Sequence, residues 1–76
     1  MVKITVPDLG EGIEKVQIVA WHAAEGGRVK MDEDIVELVT DKAVFNIPAP
    51  AEGVLREIRV QAGEDASIGT VLGVIE

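Results

Sequence analysis

Few side chains in this sequence are of kinds that do chemistry, and most of them stand alone. Lys42 sits in Thr40-Asp41-Lys42-Ala43, between the apolar runs Ile35-Val36-Glu37-Leu38-Val39 and Val44-Phe45-Asn46-Ile47. Two strand-like runs joined by so short a polar segment predict a hairpin with Asp41 and Lys42 at its tip. Asp41 suits such a turn because its carboxylate can hydrogen-bond nearby backbone. The amine of Lys42 is then held out by a rigid scaffold, with no neighbour long enough to bury it. For a lone turn lysine this ordinarily means a solubilising charge; what sets this one apart is its place in the chain.

The other candidates fall away. One histidine, His22, and no cysteine leave no Ser/His/Asp or Cys/His set and no zinc site. Asp32 and Asp34 match the start of a calcium loop, but Glu37 stands where its sixth position needs glycine. Gly10-Glu11-Gly12 lacks a following Gly-Lys-Ser/Thr and lies among carboxylates that repel phosphate. The residues thus predict a domain that is not an enzyme.

The elements that must position Lys42 are strands. Val and Ile outnumber Leu, and β-branched side chains favour pleated strands over helix. Val2, Ile4 and Val6 alternate with polar residues up to Pro7. A second strand over residues 16–23 carries Trp21 and His22, which must face opposite ways; Trp21 is the core candidate. Arg28-Val29-Lys30 is a short run after Glu25-Gly26-Gly27. Strand pattern resumes over residues 54–60, Ala62-Gly63-Glu64-Asp65 reads as a turn, and residues 71–75 make the last strand.

Seventy-six residues allow one domain over 1–76 with a modest core and no disulfide. Seven basic against fourteen acidic side chains give a net charge of −7, which disfavours nucleic acid and anionic membranes and suits partners with basic surfaces. No apolar run approaches a membrane span and no signal-peptide pattern opens the chain. The expected location is the cytoplasm, or the mitochondrial matrix for a eukaryotic chain relieved of a transit peptide.

The two halves resemble each other. Trp21-His22-Ala23-Ala24-Glu25-Gly26 lies over Ile58-Arg59-Val60-Gln61-Ala62-Gly63, and Met31-Asp32 over Ile68-Gly69. After a one-residue gap, Asp34-Ile35-Val36-Glu37-Leu38-Val39 falls over Thr70-Val71-Leu72-Gly73-Val74-Ile75. Two such β units, neither able to bury its apolar face alone, predict a pseudo-symmetric sandwich. The Lys42 turn and the C-terminus then occupy its two opposite ends, with an attachment point facing outward and a tether behind.

With these motifs on view, the chain resembles the lipoyl domains of the dihydrolipoamide acyltransferase components of 2-oxo acid dehydrogenase complexes, within the biotinyl/lipoyl carrier family. The resemblance spans nearly the whole chain. It rests on Val6-Pro7-Asp8-Leu9-Gly10-Glu11-Gly12-Ile13, Glu25-Gly26, Thr40-Asp41-Lys42-Ala43 and Ile47-Pro48-Ala49-Pro50-Ala51-Glu52-Gly53. It implies a flattened β-barrel of two four-stranded antiparallel sheets, and lipoic acid in amide linkage on Lys42, flanked by Asp41 and Ala43. Biotinyl relatives carry Ala-Met-Lys-Met at the turn, so Thr-Asp-Lys-Ala favours lipoate. Val39 stands where relatives often have Glu, which bears on recognition by the attaching enzyme.

The implied role is a swinging-arm carrier of acyl groups and reducing equivalents, its chain continuing past Glu76 through a linker into an acyltransferase domain. The implied partners are a lipoyl-attaching enzyme, a thiamine-dependent 2-oxo acid dehydrogenase, the acyltransferase core and dihydrolipoyl dehydrogenase. A lysine amine in water titrates at about 10.4, so the attaching enzyme must remove a proton. Asp8, Leu9, Gly10, Glu11, Gly12, Ile13 and Glu14 are the candidate loop by which the dehydrogenase tells this domain from another's; the alternative is a plain connection. A biotinyl carrier and an unmodified β-barrel binding module remain the competing readings. The isolated domain is expected to be monomeric.

Overall fold

A computed structural model describes residues 1–10 and 12–76. Eight strands run β1 (Val2–Thr5), β2 (Lys15–Trp21), β3 (Arg28–Val29), β4 (Asp34–Val39), β5 (Val44–Pro48), β6 (Gly53–Ile58), β7 (Asp65–Ser67) and β8 (Val71–Ile75). They form two antiparallel four-stranded sheets, ordered β1-β8-β6-β3 and β5-β4-β2-β7. No helix occurs among the described residues, and the chain measures 32 × 20 × 17 Å along its principal axes. The all-β expectation and the two four-stranded sheets both hold.

Alternation along the strands puts one face of each sheet inside. Val16 and Ile18 of β2 are buried between exposed Lys15, Gln17 and Val19. Ile4, Ile35, Leu38, Leu55, Leu72 and Ile75 meet them in one aliphatic core, and no polar or charged residue is buried among the described residues. β7 lies partly in a stretch that the sequence marks as a turn. It is short and built of Asp65, Ala66 and Ser67, yet Ala66 is buried and the strand pairs with β2. Trp21 is half-buried rather than fully inside. Its ring packs against Gly73 and its Nε1–H donates to the Val60 carbonyl at 2.8 Å, tying one sheet to the other.

The halves superpose by a shift of 37 residues, visible bond by bond. The Gly26 N–H donates to Leu55 O at 2.7 Å and the Gly63 N–H to Ile18 O at 2.7 Å. The His22 N–H donates to Ile35 O and the Arg59 N–H to Leu72 O, each at 2.8 Å. Asp32 and Gly69 take matching left-handed conformations, φ +67° and +88°. Core residues pair the same way: Ile18 with Leu55, Val29 with Ala66, Ile35 with Leu72, Leu38 with Ile75. This corrects the repeat read from sequence. There is no one-residue gap before β4, since the mate of Ile35 is Leu72 and not Val71; weak residue identity had drawn the alignment out of register.

Each link between consecutive strands crosses to the other sheet, except β4 to β5, which is a hairpin within one sheet. Its pseudo-symmetric counterpart is the β8–β1 pair, where Ile75 lies opposite Val2 and the chain ends. From the hairpin tip, β5 runs away to Pro48, and residues 49–52 deliver the chain to Gly53, against Glu76. One end of the molecule therefore holds the Lys42 turn, and the end exchanged with it by the pseudo-two-fold holds both termini.

Candidate functional site

The turn begins where the β4–β5 ladder closes at Val39 opposite Val44. Thr40 N–H donates to the Ala43 carbonyl at 2.9 Å. The Thr40 hydroxyl does the rest. Its oxygen accepts the Lys42 and Ala43 N–H groups at 3.1 Å each, and the O–H lies 3.3 Å from the Ala43 carbonyl. Asp41, which sequence reasoning favoured as the turn-former, makes no hydrogen bond among the described residues. Thr40 is the residue that reasoning missed. Its signal was present: Thr hydroxyls bond backbone two and three residues ahead, more weakly than Asp or Asn in general but here from the better position.

Lys42 is exposed, as are Asp41 and Ala43. Among the described residues no carboxylate lies within ion-pair distance of its amine. Lys3, Lys15 and Lys30 are exposed too, with Lys15 4.0 Å from Asp65. Exposure alone does not single out Lys42; a place at the tip of the hairpin does. An open groove of about 330 Å³ runs beside the turn, bordered by Gln17, Val39, Thr40, Asp41 and Asp65. Lys15 borders it as well, so it offers two carboxylates, one amine and the Thr40 hydroxyl, and no imidazole. Among the described residues no group of three or more His, Cys, Asp or Glu could hold a metal ion.

The loop from Asp8 to the start of β2 folds back over this end. Asp8 Oδ1 accepts the Gly10 N–H at 3.0 Å, and the Ile13 N–H donates to Gly10 O at 3.3 Å. Leu9 and Ile13 are half-buried against the core, and Glu14 O accepts the Ile68 N–H at 3.1 Å. Gly10 and Gly12 have φ of +124° and +84°. A Cβ on Gly12 would stand 3.8 Å from Lys42 Nζ. The structure thus brings Asp8, Leu9, Gly10, Gly12, Ile13 and Glu14 into one anchored loop, of which Gly12 stands beside Lys42 Nζ. Glu11, read in the same loop, lies outside the described residues. His22 is exposed, 3.7 Å from Glu37, at the edge of the opposite end of β2.

Fold and turn together define a class: a small pseudo-symmetric β-sandwich whose one in-sheet hairpin displays a lysine. Comparison with known proteins gives the family. The model of the Biotin_lipoyl family, described as biotin-requiring enzyme, matches residues 2–75. The dihydrolipoyllysine-residue succinyltransferase component of the 2-oxoglutarate dehydrogenase complex of Haemophilus influenzae is 42% identical over 74 residues. That match takes in 97% of this chain and 18% of that protein. The lipoamide acyltransferase component of the branched-chain alpha-keto acid dehydrogenase complex of Pseudomonas aeruginosa is 39% identical over 66 residues, 87% of this chain and 15% of that protein. Among solved structures, the lipoyl domain of the 2-oxoglutarate dehydrogenase complex of Azotobacter vinelandii superposes with a TM-score of 0.81 at 36% identity. It is matched over 100% of this chain and 96% of that domain. The chain belongs to the biotin/lipoyl carrier family and is a lipoyl-type domain; the curated relatives it matches are acyltransferase components. It is a carrier domain that spans less than a fifth of those acyltransferase relatives.

Proposed function

We propose that Lys42 carries lipoic acid through an amide on Nζ, and that the domain presents this arm in turn to the active sites of a 2-oxo acid dehydrogenase complex. The observation that carries the reading is the placement of Lys42, exposed at the tip of the one hairpin that stays within a sheet. The similarity to a lipoyl domain along the entire chain supports lipoate over biotin. So does the turn itself, where Asp41 and Ala43 stand in place of the methionines of biotinyl relatives.

The residues fit the group. Attachment joins Nζ to the acyl carbon of an activated lipoate, expels the activating group and takes a proton from the amine. It needs approach to Nζ from solvent, which the tip allows, and a backbone that does not yield, which the Thr40 bonds supply. Conversion of the amine to an amide removes one positive charge, from −7 to −8 overall. Once bound, a dithiolane supplies a redox-active thiol pair able to take up and release an acyl group. The domain has no cysteine of its own to exchange with that pair. Its remaining work is mechanical: a rigid barrel holds the arm's root still, and a tether raises the arm's effective concentration at each site.

The partners under this reading are a lipoyl-attaching enzyme, a thiamine-dependent dehydrogenase, an acyltransferase core continuous with this chain, and dihydrolipoyl dehydrogenase, in the cytoplasm or mitochondrial matrix. Residues 8–14 are the surface by which the dehydrogenase recognises its own domain; the support is the packing of Leu9 and Ile13 on the core and the nearness of Gly12 to Lys42. Intact mass after separate incubation with a lipoate-attaching and a biotin-attaching enzyme tests the assignment. A single lipoyl increment is expected. A biotinyl increment, or none from either enzyme, would replace this reading by the corresponding alternative.

A further inference from the structure

The hairpin that displays Lys42 lacks the means by which short hairpins usually hold their shape. Two-residue hairpin turns rely on left-handed residues at the tip, supplied by Gly, Asn or Asp, because that conformation matches the twist of the strands. Here neither Asp41 nor Lys42 has a positive φ. A right-handed four-residue turn usually closes with a bond from the last N–H to the first carbonyl. The Ala43 N–H instead goes to Thr40 Oγ1, and no bond from it to the Thr40 carbonyl exists among the described residues. The backbone's own preferences therefore leave this tip undetermined, with one backbone bond across it, from Thr40 N–H to Ala43 O at 2.9 Å.

The Thr40 hydroxyl completes the closure. A hydroxyl has two lone pairs and one proton. Both lone pairs are taken, by the amides of Lys42 and Ala43 at 3.1 Å, and the proton faces the Ala43 carbonyl at 3.3 Å. One side-chain oxygen thereby grips the N–H of the lysine residue and that of its successor, which sets the peptide planes on both sides of the Lys42 Cα. The direction of the Lys42 Cα–Cβ bond follows from those planes. Without the hydroxyl, two amides at an exposed tip turn to water and the Cα–Cβ vector is free to swing.

We infer that Thr40 is a positioning residue for the modification of Lys42. It acts through its hydroxyl on the backbone and never on the acyl donor. This rests on the reading of Lys42 as the acylated residue. It adds that the residue two before the lysine, and not the acidic neighbour Asp41, decides how the amine is offered.

The experiment compares Thr40→Val, which keeps the shape and removes the hydroxyl, with Thr40→Ser, which keeps the hydroxyl. Thr40→Ala serves as a second deletion should branching disturb the valine variant. Three quantities are measured on each: kcat/KM for acylation with lipoic acid and a lipoate-attaching enzyme, read by intact mass; amide hydrogen exchange at Lys42 and Ala43; and the thermal unfolding midpoint. Thr40→Val and Thr40→Ala should lower kcat/KM about tenfold, the equivalent of about 1.4 kcal/mol, and speed exchange at both amides. The unfolding midpoint should scarcely move, because the tip lies outside the core. Thr40→Ser should restore the rate to within about threefold of the parent, or about 0.6 kcal/mol. Wild-type acylation of Thr40→Val or Thr40→Ala would overturn the role of Thr40 while leaving Lys42 in place. Equal losses in Thr40→Ser and Thr40→Val would overturn it as well, since the hydroxyl would then not matter. If the parent domain gains no lipoyl mass, the reading of Lys42 itself fails, and this inference with it.

Discussion

The two ends of the molecule are built from equivalent parts and have come to differ. At the lysine end the β4–β5 hairpin closes on residues 40–43; at the other, β8 and β1 pair and the chain is open. A second difference lies alongside. Val6 and Ala49 make equivalent bonds, to Thr70 and Gly69 in one case and to Glu33 and Asp32 in the other, so the first strands of the two halves are offset by 43 residues. From Ile18 and Leu55 onward the offset is 37. The difference, 43 − 37 = 6, is six extra residues in the link from β1 to β2, and that link is the loop beside Lys42. The fold closes without them at the other end, where residues 49–52 suffice. Equal packing with unequal surface is how a symmetric scaffold separates what holds it together from what it presents.

The largest effect should come from removing the amine. Lys42→Arg should abolish lipoylation completely by intact mass. Arg keeps an exposed cation, so unfolding free energy should stay within about ±0.5 kcal/mol of the parent. A lipoyl group on that variant would move the site elsewhere, and with it the distinction between the ends.

Next is a displacement of the amine by one residue. Asp41→Lys combined with Lys42→Asp keeps composition and net charge, but puts the lysine at a position whose N–H the Thr40 hydroxyl does not hold. The swap should block modification, whereas Asp41→Asn and Ala43→Ser should leave most of it. Gel shift or mass spectrometry after exposure to the attaching enzyme decides, and full modification of the swapped domain would show that geometry at the tip matters less than stated.

A smaller effect, on stability, should be the same at both ends. Leu38 and Ile75 are fully buried mates in the two halves. Leu38→Ala and Ile75→Ala should each cost about 2–5 kcal/mol in denaturant unfolding, with lipoylation of the folded fraction retained. A loss confined to one half would mean that the halves do not share one core.

The smallest contrast compares two glycines. Gly12 and Gly69 both have left-handed φ, and alanine at either should cost about 1–2 kcal/mol. Only at Gly12 does the new methyl approach Lys42 Nζ, while Gly69 has open space. Thermal unfolding should therefore fall alike in both variants, and the rate of arm loading by the dehydrogenase should fall only in Gly12→Ala. Equal rates would release the loop from any part in recognition.

Much of this was legible before any coordinates. β-branched alternation is a local property, and it placed strands over residues 2–6, 35–39 and 71–75, against Val2–Thr5, Asp34–Val39 and Val71–Ile75 in the structure. Gly26 and Gly63 were legible as matching turns because a left-handed residue has few substitutes. The register of the repeat was not, since Val71 and Leu72 are interchangeable as apolar letters and only a bond from Arg59 N–H tells which is the mate of Ile35. β7 was hidden for a related reason: Asp65, Ala66 and Ser67 carry no strand signal, and pairing with β2 makes them a strand. At the turn, composition pointed to Asp41 because aspartate is the commoner turn residue. Which of two adjacent side chains reaches the free amides depends on rotamer and backbone direction, and neither is written in residue type.

The pairing of Val2 with Ile75 has a topological meaning. Counted by the two offsets, the ladder pair Val39–Val44 corresponds to Glu76 and Met1, since 39 + 37 = 76 and 44 − 43 = 1. Four residues bridging Glu76 to Met1 would therefore rebuild the lysine hairpin at the other end. The domain is a ring of eight strands cut at one of its two equivalent corners. The uncut corner is a fixed perch for an arm, and the cut corner is where any fused chain must leave. A circular permutant opened at residues 41–42 and closed through a second Thr-Asp-Lys-Ala would turn the carrier end for end, with perch and leash exchanged and the barrel between them unaltered.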